Sequence, residues 1–222
     1  MHALKLIVFD WDGTLMDSEA RIVGCLRAAL QDIDLPDQPD EQLKNVIGLG
    51  LKEALQRLHP EGNDREHQQL TDRYRYHFLE SSKIPSPMFD GAQTLLEELN
   101  RLGFFLAVAT GKGRPGLDKV LSESNTGHLF HYTRCADETR SKPHPQMLEE
   151  IMDFCGVESH ETIMIGDTEY DLQMANHAGA HALAVSYGVH DKQRLLDCAP
   201  LDCVDNINEL SEWLLNKAQH VA

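Results

Sequence analysis

The chain has 222 residues, enough at roughly 150 residues per domain for one large unit or for one carrying a sizeable insertion. Its 41% hydrophobic and 25% charged residues are those of an ordinary globular protein. Thirty-six acidic residues against 20 basic ones give a formal charge of −16, a surplus that repels phosphate backbones and anionic lipid and argues against nucleic-acid or membrane-surface partners.

The first segment, Leu4 to Asp10, is an apolar run that ends in carboxylates, so it reads as a buried strand and not as a signal peptide. No apolar run approaches the roughly 18 residues of a membrane span. Five cysteines with no C-x-x-C pair indicate neither a disulfide framework nor a zinc site, and a reducing cytoplasm is the expected location. Beyond the strand, residues 17–83 carry only helical patterns: Ile22, Leu26, Ala29 and Leu30, then Leu43, Val46 and Ile47, then Leu51, Leu55 and Leu58, then Leu70, Tyr74 and Phe78. This predicts an all-helical insertion, bordered by Gly13-Thr14 and by the loop Ser81 to Pro87. It holds 13 acids and 9 bases, net −4, against net −12 for the remainder.

After the insertion, strand and helix alternate. Phe104–Thr110, Thr162–Asp167 and His181–Ser186 are short apolar runs of the kind buried on both faces of a parallel sheet. Between them, Ala92 to Leu102 follows helical spacing behind Asp90-Gly91, and Leu148, Ile151 and Met152 follow it behind Pro145. The predicted fold is therefore α/β: a Rossmann-like parallel sheet core, residues 1–16 and 84–222, with a second, smaller all-helical domain, residues 17–83, inserted after the first strand.

Four strand ends carry chemistry. Asp10-Trp11-Asp12-Gly13-Thr14 puts two carboxylates beyond the first strand, where open α/β sheets bind ligands. Two unpaired carboxylates so close raise each other's pKa, and a divalent cation keeps both ionised. Thr110-Gly111 offers a hydroxyl and glycine backbone to an oxyanion. Lys142 is held ahead of a helix by Pro143 and Pro145, where a fixed ammonium can neutralise a nucleophile and a phosphoryl group together. Asp167 closes a buried strand and needs a cation or several donors, while Asp171 has the spacing of a helix cap behind Thr168. Each has a plainer reading on its own, as a turn, a strand exit, a solvated lysine or a cap.

Taken together and in this order, Asp-x-Asp, Thr, Lys and Asp resemble the motifs of the haloacid dehalogenase (HAD) superfamily, in its branch with a helical C1-type cap after the first motif. The likeness covers the whole chain and is greatest to phosphoglycolate phosphatase-like hydrolases. It implies a phosphatase acting on a small phosphorylated metabolite through an aspartyl-phosphate, with Asp10 as nucleophile and Asp12 as general acid and base. It further implies Thr110 and Gly111 on the phosphate, Lys142 on Asp10, and Mg2+ held by Asp10, the Asp12 main-chain carbonyl and Asp167 with Asp171 in support. The loop Ile47-Gly48-Leu49-Gly50-Leu51-Lys52 is expected over the site, with Gly48 and Lys52 as substrate contacts. Trp11 and Gly111 depart from the family's commoner Phe and Asn, so backbone must serve at position 111. A sugar phosphomutase is the alternative with the same residues; a receiver-type phosphoacceptor is a more distant one. The protein is expected to work as a monomer or homodimer.

Overall fold

The structure, a computed structural model, describes residues 4–218; the first three and last four positions, expected in the core, lie outside the described residues. Six strands, β1 (Leu6–Phe9), β2 (Phe105–Thr110), β3 (Tyr132–Cys135), β4 (Thr162–Gly166), β5 (His181–Val185) and β6 (Cys203–Val204), form one sheet in the order β3-β2-β1-β4-β5-β6. Every pairing is parallel, with Leu6 opposite Phe105 on one side and Thr162 on the other. The order reverses direction between β1 and β4, and at such a switch point the crevice beyond the strand ends is open to a ligand.

Alternate residues of each strand face opposite sides. Ile7, Phe9, Leu106, Val108, Ile163 and Ile165 join one apolar cluster. Leu6, Val8, Ala107, Ala109 and Met164 join the other. The second cluster is closed by α7 (Gln146–Cys155) and α8 (Glu169–His177) through Met147, Leu148, Ile151 and Leu172. The first is closed by α5 (Ala92–Arg101), α6 (Arg114–Ser124) and α10 (Ile207–Ala218); α9 (Lys192–Leu196) lies between β5 and β6 in the chain.

All regular structure between Asp17 and Lys83 is helical: α1 (Glu19–Asp32), α2 (Asp40–Asn45), α3 (Leu51–Leu58), α4 (Asp64–Tyr76) and a π-helical turn His77–Ser81. Asn63 caps α4, accepting from the Arg65 and Glu66 amides while Glu66 accepts from the Asn63 amide. Leu26, Leu30, Leu55 and Leu70 are buried in the same cluster as the sheet's first face, so the helical insertion and the core share apolar packing. The two connections run side by side, with a Met16–Met88 antiparallel bridge and Asp17 N–H donating to the Pro87 carbonyl at 2.8 Å.

Leu55 is 1% exposed at the centre of the helical layer. Leu55→Ala removes buried methyl groups and leaves a cavity, and is expected to lower unfolding free energy by about 2–5 kcal/mol. A urea titration of variant against parent measures it; a loss below about 1 kcal/mol would show that the layer relaxes around the gap.

Candidate active site

Asp10 N–H donates to the Ile165 carbonyl at 2.9 Å, which carries the ladder one residue past β1 and fixes the carboxylate at the sheet's carboxyl edge. Asp10 is 1% exposed, and its oxygens accept from no hydroxyl or amide of a described residue. Its near neighbour is the Lys142 ammonium, 2.8 Å from Oδ1. Lys142 also donates to Asp171 Oδ1 at 2.6 Å, and the Lys142–Pro143 peptide is cis. The other Asp171 oxygen accepts from the Thr168 amide at 3.1 Å and the Thr168 hydroxyl at 2.6 Å, so Asp171 both caps α8 and holds Lys142.

Asp167 is fully buried at the end of β4, accepting from the Thr14 hydroxyl and the Val189 amide, each at 2.9 Å. Two glycines make room for it. A Cβ on Gly13 would lie 2.2 Å from Asp167 Oδ2, and one on Gly188 would lie 2.3 Å from Asp167 Cβ. Gly13 also has φ +77°, which a side chain disfavours.

Asp10, Asp167 and Asp171 bring one oxygen each within 4.8 Å of the others. Burial pushes the Asp10 carboxyl up to about 7 even against the pull of Lys142, with Asp171 and Asp12 adding repulsion. Burial likewise holds Asp167 well above the carboxylate range, reinforced by Asp10 and Asp171. For Lys142, burial alone would lower the pKa, but Asp10 and Asp171 together overcome it and the net shift is upward. When ionised, three buried carboxylates around one ammonium leave two uncompensated negative charges, and a cluster of hard oxygen donors in which Asp10 is paired only with Lys142 fits a divalent cation such as Mg2+.

Asp12 points to different partners. Its Oδ1 accepts from the Ser18 hydroxyl at 2.5 Å and lies 2.9 Å from the Lys112 ammonium. Lys112 is 9% exposed and stands 4.2 Å from the centroid of the Phe78 ring, over which the Arg21 guanidinium also lies, at 4.8 Å. Sequence reasoning stopped at Thr110-Gly111 and passed over Lys112. The available signal was a lysine just past a strand end, beside a strand end rich in carboxylates.

Thr110 is fully buried, and its hydroxyl accepts from the Lys112 amide at 3.2 Å. The loop expected over the site is there. Gly50 N–H donates to the Ser141 hydroxyl at 2.7 Å, and Tyr170 donates to the Asn45 carbonyl at 2.8 Å. A Cβ on Gly111 would lie 2.4 Å from the Leu49 carbonyl oxygen and 2.7 Å from that of Gly48. The departure at position 111 thus has a physical reason, because the loop backbone occupies the space an Asn would need. Gly48 has φ +96° and packs on Thr168, whereas Lys52 is exposed at the rim of the cavity that Asp10, Asp12 and this loop line. His177 is exposed and contacts the Pro143 carbonyl at 2.9 Å.

Comparison with known proteins agrees with this arrangement. Residues 7–185 match the family described as haloacid dehalogenase-like hydrolase. A protein named "Probable phosphatase IndB" from Dickeya dadantii is 32% identical over 209 residues, covering 92% of this chain and 91% of its own length. The phosphoglycolate phosphatase of Mannheimia succiniciproducens is 30% identical over 205 residues, covering 88% and 92%. A crystal structure described as a "predicted phosphatase" from Clostridium acetobutylicum superposes with a TM-score of 0.87 at 25% identity, covering 96% of this chain and 99% of its own. The chain belongs to the haloacid dehalogenase-like hydrolases. Within them it is a phosphatase, similar to phosphoglycolate phosphatases.

If Lys112 positions the Asp12 carboxyl, Lys112→Met should lower kcat for esters of poor leaving alcohols by about tenfold to 10²-fold, shift the pH profile of kcat, and leave the Mg2+ concentration for half-maximal activity nearly unchanged. An unaltered pH profile would mean that Lys112 serves packing alone.

Proposed function

We propose that this phosphatase hydrolyses a small phosphorylated metabolite through an aspartyl-phosphate on Asp10, with Mg2+ as cofactor. The observation that carries the reading is the Asp10 carboxylate: buried, paired among the described residues only with the Lys142 ammonium at 2.8 Å, and opening onto the cavity. Such a group is a poor structural element and a well-aimed nucleophile.

In the first step an Asp10 oxygen attacks phosphorus, the bond to the leaving oxygen breaks, and Asp12 gives its proton to that oxygen. In the second step Asp12 takes a proton from water, the water oxygen bonds to phosphorus, and the Asp10–phosphorus bond breaks to return the carboxylate and release inorganic phosphate. The Thr110 hydroxyl and Gly111 amide hold phosphoryl oxygens, while Lys142 neutralises charge on Asp10 and the transferring group. Asp10, the Asp12 carbonyl and Asp167 would hold Mg2+, with Asp171 fixing Lys142 beside them. When bound, the ion supplies charge neutralisation at the phosphoryl group.

Residues 17–83 act in this reading as a cap that closes on a core of 1–16 and 84–222 to exclude water, with the paired connections at Met16 and Met88 as its hinge. Gly48 lets the cap loop lie close to the core, and Lys52 and Arg75, neither in an ion pair among the described residues, draw a dianionic ester toward the cavity rim against the overall charge of −16. The same reading takes the protein to be cytoplasmic and to work as a monomer or homodimer, and the charge of −16 weighs against nucleic-acid and anionic-membrane partners.

Asp10→Asn keeps the shape and removes the nucleophile, so phosphate release should fall by at least about 10³-fold with the melting curve little changed; residual turnover near the parent level would eliminate the covalent route. Asp167→Ala should raise the Mg2+ concentration for half-maximal activity by about tenfold or more. A metal titration superimposable on the parent's would remove Asp167 from the ligand set.

A further inference from the structure

The cavity above Asp10 and Asp12 has a volume of about 390 Å³, within the range of pockets that enclose ligands far larger than a two-carbon acid. Its floor is the phosphoryl site. Its roof is largely apolar: Ile22 and Leu26 from α1, Tyr74 from α4, and Phe78 and Leu79 from the π-helical turn, with Thr71 and Arg75 the polar residues that α4 adds. The Tyr74 and Phe78 rings stand parallel, with centroids 5.9 Å apart and an interplanar angle of 20°.

A short hydroxy acid suits this roof poorly. Its carboxylate would need a cation inside the chamber, but Lys112, the buried cation of the lining, is already paired with Asp12, and Lys52 and Arg75 lie exposed at the rim. A charge set against the apolar wall would be desolvated without a partner. An aromatic ring, by contrast, would fill the space, dry the wall, and pack against Leu26, Leu79 and the Tyr74–Phe78 pair.

Resting on the phosphomonoesterase reading, we infer that the substrate is a phosphate ester of an alcohol carrying an aromatic ring, and that the roof formed by α1, α4 and the π-helical turn selects it. Selection by the roof is selection by the leaving group, since every ester presents the same phosphoryl group to the floor. The closed loop at Gly48–Gly50 then seals the ring in with the reacting atoms and keeps bulk water out.

The test compares kcat/KM of the full chain with Mg2+ on 2-phosphoglycolate, ethyl phosphate, benzyl phosphate and naphthylmethyl phosphate, all esters of primary alcohols so that leaving-group chemistry is nearly constant. The ring esters should exceed the two-carbon esters by at least about tenfold. Leu79→Trp, which fills the half-buried edge of the roof, should cut that ratio by about tenfold with circular dichroism unchanged. If the variant does not fold, the ratio in the parent decides alone. A parent that prefers 2-phosphoglycolate, or a folded Leu79→Trp with the parent's ratio, overturns the inference while leaving the phosphatase reading intact. No phosphate release from any of the four esters would overturn both.

Discussion

Three carboxylates and one ammonium are packed out of water at the carboxyl ends of β1 and β4. Taking so much like charge out of water is unfavourable, and a chain folds around it only where each group has been given a partner or a cation to share. Lys142 bridges Asp10 and Asp171; Thr14 and the Val189 amide serve Asp167; Thr168 serves the far oxygen of Asp171. Asp10 alone has no hydroxyl or amide partner and shares its ammonium with Asp171. The hydroxyl and amide donors go to the supporting residues, and the least satisfied group is the one that lines the cavity.

That allocation explains local features that otherwise look incidental. The direction of strand order reverses between β1 and β4, so the two acid-bearing strand ends are neighbours with no crossover above them. Gly13, Gly166 and Gly188 are small because carboxylates fill the space around them: a Cβ on Gly166 would lie 2.3 Å from Asp171 Cβ. Gly111 is small because the cap loop's carbonyls fill the space there. Glycine at these positions reflects close approach, and the left-handed backbone of Gly13 is a second reason at one of them.

Much of this was legible in the sequence, for a reason that also marks the limit. The four central strands are buried on both faces and so read as unbroken apolar runs, and Asp10, Thr110 and Asp167 sit where three of those runs stop, whereas Lys142 follows the edge strand β3 by seven residues and not the end of an apolar run. The edge strands do not read this way. Tyr132-Thr133-Arg134-Cys135 is only half-buried along most of its length and carries polar residues, and Cys203-Val204 is two residues long; neither has a period to detect. The helix Arg114–Ser124 was hidden because its start, Arg-Pro-Gly, is turn chemistry and only Leu117 and Val120 are buried. Lys112 was missed because its burial depends on Phe78, which belongs to the insertion, and no local pattern joins the two.

The contact between Lys112 and Phe78 links the chemistry to the closure. Asp12, the proposed acid and base, has two partners on one oxygen: Ser18, immediately before the first helix of the insertion, and Lys112, roofed by a ring from its last turn. Arg21 secures that turn from α1, donating to the Phe78 carbonyl at 2.8 Å and to the Ser86 hydroxyl on the second connection at 3.3 Å. Raising the helical layer would carry Phe78 away from Lys112 and return the ammonium to water, where its attraction for Asp12 is several-fold weaker. In the proposed mechanism the arrangement of the acid therefore depends on the same contacts that shut the chamber, and a proton donor held by Lys112 under a closed roof would act on the enclosed ester in preference to open solvent.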